Sequence, residues 1–371
     1  MVIDVTSQQP LYRQLYRILK DDIESGVYPP AKQLPPEPEL CKKYNVSITT
    51  IRQAVSLLVA EKVVYRRQGK GTFVAEQGDS FQFKAVKNIG FLANFPNEKQ
   101  DARYEILPEI IHVMESAAIR YGYNLSVFNI KPDSAESRLE LISRGNVDGV
   151  VFWPLAESAG EHLNRQVMTS LLGLHVPVVL FDRFIPGYDV DHVVSDNQQG
   201  AFSLVHHLIE LGHRRIAVIA DSKNTTVEDR ITGYKKALAV AGIDFDPDLV
   251  KIGTQEASVQ QVAEHVKLLL SLSEPPTALF GIYDNLAMAA IRALKVQGLN
   301  VPDDIAVVGY DNRMFAEAIS LTTVDQHFDQ MAYKAIERLR EKIEKKDKVV
   351  RRIVVTSKMI VRNSSTQLCR A

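Results

Sequence analysis

The sequence is poor in the residues and motifs on which many functional classes depend. Its 371 residues include two cysteines, Cys41 and Cys369, which are too few and too far apart for a disulfide framework or a cysteine-rich zinc site. No apolar run approaches the roughly 18 residues that a membrane span requires. The opening residues, MVIDVTSQQPLYRQL, lack the charged-then-apolar pattern of a secretory leader. We therefore expect a cytoplasmic protein with no membrane partner.

Common catalytic and nucleotide-binding motifs are also missing. There is no Gly-x-Gly-x-x-Gly after a strand-like run, no Gly-x-Ser-x-Gly and no His-Glu-x-x-His. The Gly69-Lys70 pair lacks the upstream glycine of a phosphate-binding loop. His206 and His207 are adjacent in a predicted helix and cannot easily share one metal, while His213 fits a loop or cap position. We expect neither an enzyme nor a metal centre, and no cofactor.

Length and composition indicate an ordinary globular protein of two or three domains, and the net charge differs between its N-terminal part and the rest of the chain. Hydrophobic residues make up 46% of the chain and charged residues 24%, which argues against a disordered or coiled-coil protein. Residues 1–78 carry 11 Lys and Arg against 8 Asp and Glu, a net charge of +3, and the rest carry a net charge of −4. A basic N-terminal part is a weak indication of a nucleic-acid partner.

Three helices are predicted in the N-terminal part. The first opens at Pro10, and the second runs from Glu37 to Tyr44 and stops at Asn45, since asparagine tolerates the left-handed conformation. The third starts at Ser47, a good N-cap. It carries an apolar stripe of Ile51, Ala54, Val55 and Leu58 and a polar stripe of Thr49, Arg52, Gln53 and Ser56. A helix packed on one side can read bases with the other, since Arg pairs with guanine and Gln with adenine.

The surroundings of the third helix favour DNA recognition over an ordinary solvated face. A short turn at residues 42–46 joins it to the second helix, and the segment VVYRRQGKGTFVA follows it. This segment reads as a glycine-rich hairpin with Arg66, Arg67 and Lys70 at or near its tip. A basic hairpin beside a helix-turn-helix is a wing that can contact phosphates or enter the minor groove.

Residues 9–75 resemble the winged-helix domain of the GntR family of bacterial regulators. The family's elements occur in order, namely PLY, G-x-Y-P, LP-x-E-x-EL, VS-x-x-T-x-R-x-A and QGKGTFV. The resemblance implies that the third helix and the wing contact DNA. With Gln53 from the polar stripe, the candidate DNA-binding residues are Ser47, Thr49, Thr50, Arg52, Gln53, Gln68, Gly69 and Lys70. Pro38 and Ile48 stand where the family often has DNA-contacting arginines, so weaker binding or a different operator is expected.

From Asn88 onward the chain alternates between strand-like and helical segments. The strand-like runs are NIGFLA, NLSVFN, GVVFW, VPVVLFD, RIAVIAD, LVKIG, ALFGIYD and DIAVVGYD. Helical patterns include Ile106–Tyr121, Gly200–Leu211, Ile231–Ala241 and Leu286–Gln297. Such alternation predicts parallel α/β sheets, and this many strands favour two lobes.

Polar side chains follow several of these strands, where open α/β sheets bind their ligands. They are Asn94 with Phe95, Asp182 with Arg183, Asp221, Tyr283 with Asp284 and Asn285, and Asp311 with Asn312. Carboxylates, arginines and aromatic rings suit a polyhydroxylated ligand with apolar C–H faces. Helix capping is the alternative role for such residues, and it is favoured for Asp284.

Residues 88–362 resemble the effector domain of LacI/GalR regulators, which is similar to periplasmic sugar-binding proteins. The supporting motifs are VPVVLFDR, VVSDNQQGA, HLIELGHRRIAVIA, DRITGYKKAL, DNLAMAAIRAL, VPDDIAVVGYDN and LTTVDQ. The resemblance implies two Rossmann-like lobes, a sugar between them and a dimer interface. Its ligand positions fall on Asp182, Arg183, Arg230, Asp311 and Gln326, while Tyr283 replaces a frequent asparagine. Asn94 and Phe95 are weaker effector-binding candidates.

The expected architecture is a winged helix-turn-helix domain (1–75), a linker (76–87) and an α/β two-lobe periplasmic-binding-protein-like domain (88–371). This combination resembles the arabinose-repressor type of bacterial regulator. It implies a homodimer on a pseudo-palindromic double-stranded DNA operator, released by a small sugar, with L-arabinose favoured. Xylose, fucose or a sugar phosphate stay open, although two arginines and two carboxylates favour a neutral sugar. Activation, a non-regulatory sugar-binding module and a sugar-phosphate or nicotinamide enzyme are the alternatives.

Overall fold

The computed structural model divides the chain into two compact units, Met1–Val86 and Lys87–Ala371. The structure describes residues 10–29, 31–61, 63–67, 71–75, 87–95, 103–131, 135–142, 147–155, 157–221, 224–253 and 259–365. Of the predicted linker, only Lys87 falls within these ranges. No helix in the described ranges is long and apolar enough to cross a membrane.

The first unit is a winged helix-turn-helix. Its elements are α1 (Leu11–Glu24), α2 (Glu37–Tyr44), α3 (Ile48–Ala60), β1 (Val64–Arg67) and β2 (Gly71–Val74). The two strands pair antiparallel. Asn45 ends α2 with φ 52°, and the Ser47 hydroxyl accepts a hydrogen bond from the Thr50 amide at 3.2 Å, as the sequence predicts. The apolar stripe of α3 is buried in a core with Leu15, Leu19, Leu40, Val64 and Val74.

The second unit opens with a lobe built on a six-stranded sheet. Its strands are β3 (Asn88–Ala93), β4 (Asn124–Asn129), β5 (Gly149–Phe152), β6 (Val178–Phe181), β7 (Asp191–Ser195) and β13 (Arg352–Val355). Their order is β13-β7-β6-β5-β3-β4, and all neighbours are parallel. The helices of this lobe are α4 (Arg103–Arg120), α5 (Ala135–Leu141), α6 (Glu157–Gly173) and α12 (Phe328–Lys345).

The second lobe is built on a four-stranded parallel sheet. Its strands β8 (Ile216–Ala220), β9 (Val250–Ile252), β10 (Ala278–Gly281) and β11 (Ala306–Val308) lie in the order β11-β10-β8-β9. Its helices are α7 (Asn197–Glu210), α8 (Thr225–Val240), α9 (Val259–Leu270), α10 (Asp284–Val296) and α11 (Met314–Ala318). A small antiparallel pair, β12 (Thr323–Asp325) and β14 (Lys358–Ile360), lies beside this sheet.

The chain passes between the lobes three times, after β7, after β12 and after β13. Sequence patterns did not predict β7, β13 or α12, and two of these elements, β7 and α12, bury charged residues. Asp191 in β7 is fully buried and accepts a hydrogen bond from the Nε of buried Arg338 at 2.5 Å. Arg338 also pairs with Glu341 and Asp347, so the buried charges are compensated. This network fixes α12 against the sheet, next to the three segments in which the chain passes between the lobes.

Candidate functional site: a cleft between lobes and a recognition helix

A cleft lies between the two lobes of the second unit, at the carboxyl ends of their strands. It holds about 840 Å³ of empty space, part of which is open to solvent. The first lobe lines it with Asn94, Ile106, Trp153, Pro154, Leu155, Asp182, Arg183 and Phe328. The second lobe, together with the segment after β12 that leads back to the first lobe, contributes Asp221, Asn224, Arg230, Tyr283, Asn285, Asp311, Arg313 and Gln326 to the lining.

Arg230 of α8 is fully buried at the base of the cleft and is held by three hydrogen bonds. Its Nε donates to the Asn197 side chain at 2.9 Å, its Nη1 to the Ile282 carbonyl at 2.6 Å and its Nη2 to the Asp311 carboxylate at 3.2 Å. The guanidinium carbon also lies 3.6 Å from the centre of the Tyr310 ring. Arg230 therefore sets the position of Asp311 in addition to lining the cleft.

Asp311 follows β11 and has a backbone φ of 116°, an unusual conformation that directs this turn toward the cleft. One of its carboxylate oxygens accepts hydrogen bonds from Arg230 and, at 2.5 Å, from the Gln326 amide nitrogen. Burial raises the pKa of Asp311 to about 7, although the Arg230 guanidinium lowers it. The buried amide oxygen of Gln326 has no hydrogen-bond partner among the described residues.

Asp182 and Arg183, which follow β6, form the opposite wall of the cleft. The Asp182 carboxylate accepts hydrogen bonds from Arg183 Nη2 and from the Trp153 indole nitrogen, both at 3.1 Å. Asp182 has a φ of 67°, which turns the chain sharply at the end of the strand. These contacts fix both side chains at the cleft surface.

Tyr283 precedes α10 and lies close to Arg230, whose guanidinium carbon is 4.9 Å from its ring centre. Its hydroxyl accepts a hydrogen bond from the Asn224 amide at 3.3 Å. Burial raises the pKa of the Tyr283 hydroxyl, so it stays protonated and can still donate to a ligand.

The ionisable groups of the cleft balance in formal charge. Three carboxylates and three guanidinium groups line it, namely Asp182, Asp221, Asp311, Arg183, Arg230 and Arg313. Trp153, Tyr283 and Phe328 add aromatic surface. This mixture suits a neutral ligand with several hydroxyls and apolar C–H faces. The residues that the structure describes contain no His, Cys, Asp and Glu group that could hold a metal ion.

The structure brings together seven of the eight predicted effector-binding residues. Phe95 is the exception, because its side chain packs against the core of the first lobe. The capping role favoured for Asp284 is wrong. Its buried carboxylate makes no cap to its own helix and accepts hydrogen bonds from the Thr323 hydroxyl and the Arg313 amide. Asp221 and Asn285, which the sequence places at strand ends, also line the cleft, and Trp153 falls within a predicted strand segment. Nothing in the sequence pattern indicated Asn224 or Arg313.

The recognition helix α3 presents its predicted polar face to solvent. Ser47, Thr49, Arg52 and Gln53 are exposed, while Thr50 is half-buried. The Arg52 Nε donates to Glu37 of α2 at 2.9 Å, an exposed ion pair that can be exchanged for a base. Gln68, Gly69 and Lys70 lie outside the described residues. Ile48 and Pro38, at the departures from the GntR pattern, are both exposed.

Comparisons with known proteins agree with this two-part organisation. Residues 11–74 match the bacterial regulatory proteins of the gntR family, and residues 205–365 match a periplasmic binding protein-like domain. Among solved structures, a transcriptional regulator CelR–cellobiose complex has 25% identity, a TM-score of 0.67 and coverage of 86% of this chain and 91% of that one. A LacI-family regulatory protein from Chloroflexus aggregans has 26% identity, a TM-score of 0.66 and coverage of 75% and 98%.

A curated relative matches nearly the whole chain. The arabinose metabolism transcriptional repressor of Geobacillus stearothermophilus is 31% identical over 368 residues, which cover 97% of this chain and 98% of the relative. The match extends through the DNA-binding unit and both lobes of the cleft-bearing unit. The chain therefore belongs to the family of transcriptional repressors, represented by this relative, that join a GntR-type winged helix to a LacI-type periplasmic-binding-protein-like domain.

Proposed function

We propose that this repressor occupies its operator while the cleft is empty and leaves it when a neutral sugar binds between the lobes. The observation that carries the proposal is the presence of three carboxyl groups beside three guanidinium groups around the cleft, which leaves little net positive charge even when Asp311 binds a proton. A phosphorylated ligand would require an excess of positive charge there. L-Arabinose is the favoured effector because the relative that matches nearly the whole chain is an arabinose metabolism repressor. Xylose and fucose are the next candidates.

The DNA contacts are assigned to α3 and the wing. Ser47, Thr49, Thr50, Arg52 and Gln53 would contact the major groove, and Gln68, Gly69 and Lys70 the adjacent backbone or minor groove. A homodimer would hold two recognition helices about one DNA turn apart, ~34–36 Å, on a pseudo-palindromic operator. The protein would act in the cytoplasm by binding alone, without catalysis.

Sugar binding would act on the three crossings between the lobes. A ligand that contacts both walls of the cleft favours the arrangement in which the walls are close. It can shift DNA affinity only by its differential affinity for the two arrangements, and such coupling is typically about 1–3 kcal/mol.

The test uses the full-length protein and an operator selected from random double-stranded DNA. We expect L-arabinose, or one other neutral sugar of a pentose, hexose and deoxyhexose panel, to release this operator in a gel-shift assay. Sugar phosphates should have no effect. Arg183→Ala should keep operator binding but weaken the response to sugar at least tenfold, because it removes a charged hydrogen-bond donor from the cleft.

The matched control is Arg165→Ala, which removes an exposed arginine that pairs with Glu161 on α6. It should respond to sugar like the wild type. A response to sugar phosphates alone, or an unchanged response in Arg183→Ala, would contradict the proposed effector site.

A further inference from the structure

A dense group of positive charges lies on the first lobe of the cleft-bearing unit, at the end of α12. Residues 345–352, here called the basic segment, hold five Lys and Arg against one Asp. They connect the end of α12 to the start of β13. The unit to which they belong, Lys87–Ala371, has 32 Lys and Arg against 36 Asp and Glu. The basic segment is therefore a local positive region on an acidic unit.

Three cations of the basic segment are not neutralised by neighbouring carboxylates. Lys346, Lys348 and Arg352 are exposed, and none of them forms an ion pair within the part of the chain that the structure describes. The remaining two cations of the segment pair with the Glu341 carboxylate, at 3.7 Å and 3.4 Å. Three exposed and unpaired cations within seven residues create a positive potential that attracts a polyanion.

The backbone of the basic segment is fixed by the buried charge network beneath it. The Asp347 carboxylate accepts hydrogen bonds from the buried Arg338 guanidinium at 2.6 Å and from the Val349 amide at 2.9 Å. The Arg351 amide donates to the buried Asp191 carboxylate at 3.1 Å. Since the backbone is already ordered, a partner that binds the exposed cations has a smaller entropic cost to overcome.

The basic segment lies at the edge of the first lobe where the chain enters this lobe. All six strands of the sheet are parallel, so β13 and β3 begin at the same edge. The Lys87 ammonium, at the start of the unit, pairs with the Glu344 carboxylate at 2.5 Å, one residue before the basic segment. The effector cleft lies at the opposite edge, where the strands end. The basic segment is therefore beside the point of connection to the DNA-binding unit and away from the cleft.

The chain between the two units is short. Ala75 ends the described part of the first unit, and Lys87 lies twelve positions later in the sequence. A chain of that length spans at most about 40 Å. The wing strand β2 ends at Val74, directly before Ala75. The basic segment can therefore reach DNA that is held by the wing.

We propose that the basic segment is a second DNA-binding surface, which contacts the phosphate backbone of the operator through Lys346, Lys348 and Arg352. Lysine and arginine side chains on an exposed loop suit phosphate oxygens, which lie on the outside of the duplex. The inference extends the DNA-binding part of the proposed function. It adds a contact from the effector-binding unit that does not depend on DNA sequence.

Titrations of the full-length protein with DNA test this inference at salt concentrations between about 50 and 200 mM. The triple variant Lys346→Gln, Lys348→Gln and Arg352→Gln removes three charges and keeps part of each aliphatic chain. We expect it to bind the selected operator and an unrelated duplex at least fivefold more weakly at the lower salt concentration. The factor should be the same for both, because phosphate contacts carry no sequence information.

The salt dependence gives a second readout of the lost contacts. The slope of the logarithm of the association constant against the logarithm of salt concentration should become shallower by about 1–3. Each lost phosphate contact removes about 0.9 from this slope, because fewer counterions are released from the DNA.

The matched control is the triple variant Arg165→Gln, Lys267→Gln and Lys358→Gln, which removes the same number of charges from exposed positions on α6, α9 and β14. It should keep the DNA affinity and salt dependence of the wild type. Equal DNA binding by the two triple variants would overturn the second DNA-binding surface and leave the proposed sugar response intact.

Sedimentation of both triple variants separates DNA contact from contact between copies of the chain. We expect their oligomeric state to match that of the wild type. Loss of DNA affinity together with a change in oligomeric state would overturn the inference and assign the basic segment to an interface between copies. Failure of the wild type to bind any DNA would overturn both this inference and the proposed function.

Discussion

At the residue scale, the Asp311 carboxyl group connects the charge of the cleft to solution pH. It is buried between the Arg230 guanidinium and the Gln326 amide, and burial raises its pKa to about 7. Burial likewise raises the pKa of Asp284 to about 6. Both groups bind a proton more readily in the folded protein than in the unfolded chain. Their contribution to the free energy of unfolding is therefore fully present below about pH 4 and is lost as the pH rises through these folded-state pKa values.

We expect Asp311→Asn to remove Asp311's part of this pH dependence. Asparagine keeps the size of the side chain but cannot ionise, whereas ionisation of the buried aspartic acid costs stability. The difference in unfolding free energy, wild type minus Asp311→Asn, should fall by about 1–2 kcal/mol between pH 5 and pH 7. Urea unfolding at several pH values measures this difference.

The Asp284 carboxyl group is present in both proteins, and its charge raises the pKa of Asp311, so the difference reports Asp311 together with its interaction with Asp284. A difference that stays constant between pH 5 and pH 7 would show the opposite balance, in which the ion pair with Arg230 outweighs burial. In that case Asp311 would be ionised in the folded protein throughout this pH range.

The residues of the cleft show which functional positions can be predicted from the sequence alone. Asp182, Arg183 and Asp311 could be predicted because polar residues at the end of an apolar strand meet at one sheet edge. Phe95 also follows a strand, but its ring turns into the core of the first lobe. Strand periodicity fixes where a residue lies along the chain, whereas the turn after the strand decides where its side chain points.

At the element scale, the contact between α7 and α8 determines where the cleft residues of α8 lie. A Cβ atom at Gly233 would lie 2.2 Å from the Gln198 carbonyl oxygen and 2.9 Å from the Phe202 amide nitrogen. The two helix backbones therefore touch at this glycine. Arg230 lies less than one turn before Gly233 on the same helix, so the contact also controls the guanidinium position.

We expect Gly233→Ala to separate the two helices and to destabilise the protein by about 1–3 kcal/mol, since backbone atoms cannot yield as a flexible side chain can. Sugar binding should weaken as well, because Arg230 moves with α8. Urea unfolding and calorimetric titration measure the two effects. Gly173→Ala is the control, since a Cβ atom there would meet nothing within 4 Å. Equal stability of the two variants would contradict the close helix contact.

Helix α12 and strand β7, which sequence patterns failed to predict, share a physical cause. Helix α12 buries Arg338 against Asp191 of β7, so a charged residue occupies a position where periodicity requires an apolar one. The strand-like segments of the two lobes and α3 were predictable because their buried faces are continuous and apolar. The residues of a buried ion pair can be far apart in sequence. The pattern of apolar and polar residues in a single sequence does not show which charged residues will pair in the folded protein.

At the scale of the whole cleft-bearing unit, the ion pair between Arg313 and Glu109 joins the two lobes directly. Arg313 follows β11 of the second lobe and lines the cleft, and its Nη1 lies 3.2 Å from the Glu109 carboxylate on α4 of the first lobe. The Arg313 side chain is 9% exposed and the Glu109 side chain 53% exposed. The pair therefore favours this arrangement of the lobes, but its exposed acidic end limits its contribution to about 1 kcal/mol at most.

We expect Glu109→Gln to weaken sugar binding by about two- to fivefold, because the lobes lose part of the interaction that holds them over the cleft. The loss should shrink at high salt, where the wild-type pair is screened as well. Calorimetric titration at low and high ionic strength measures both effects, with the exposed Glu115→Gln on the same helix as the control. Tighter sugar binding in Glu109→Gln would mean that the pair favours the open arrangement instead. Sugar binding would then have to break the pair, and the coupling between effector and DNA would include that cost.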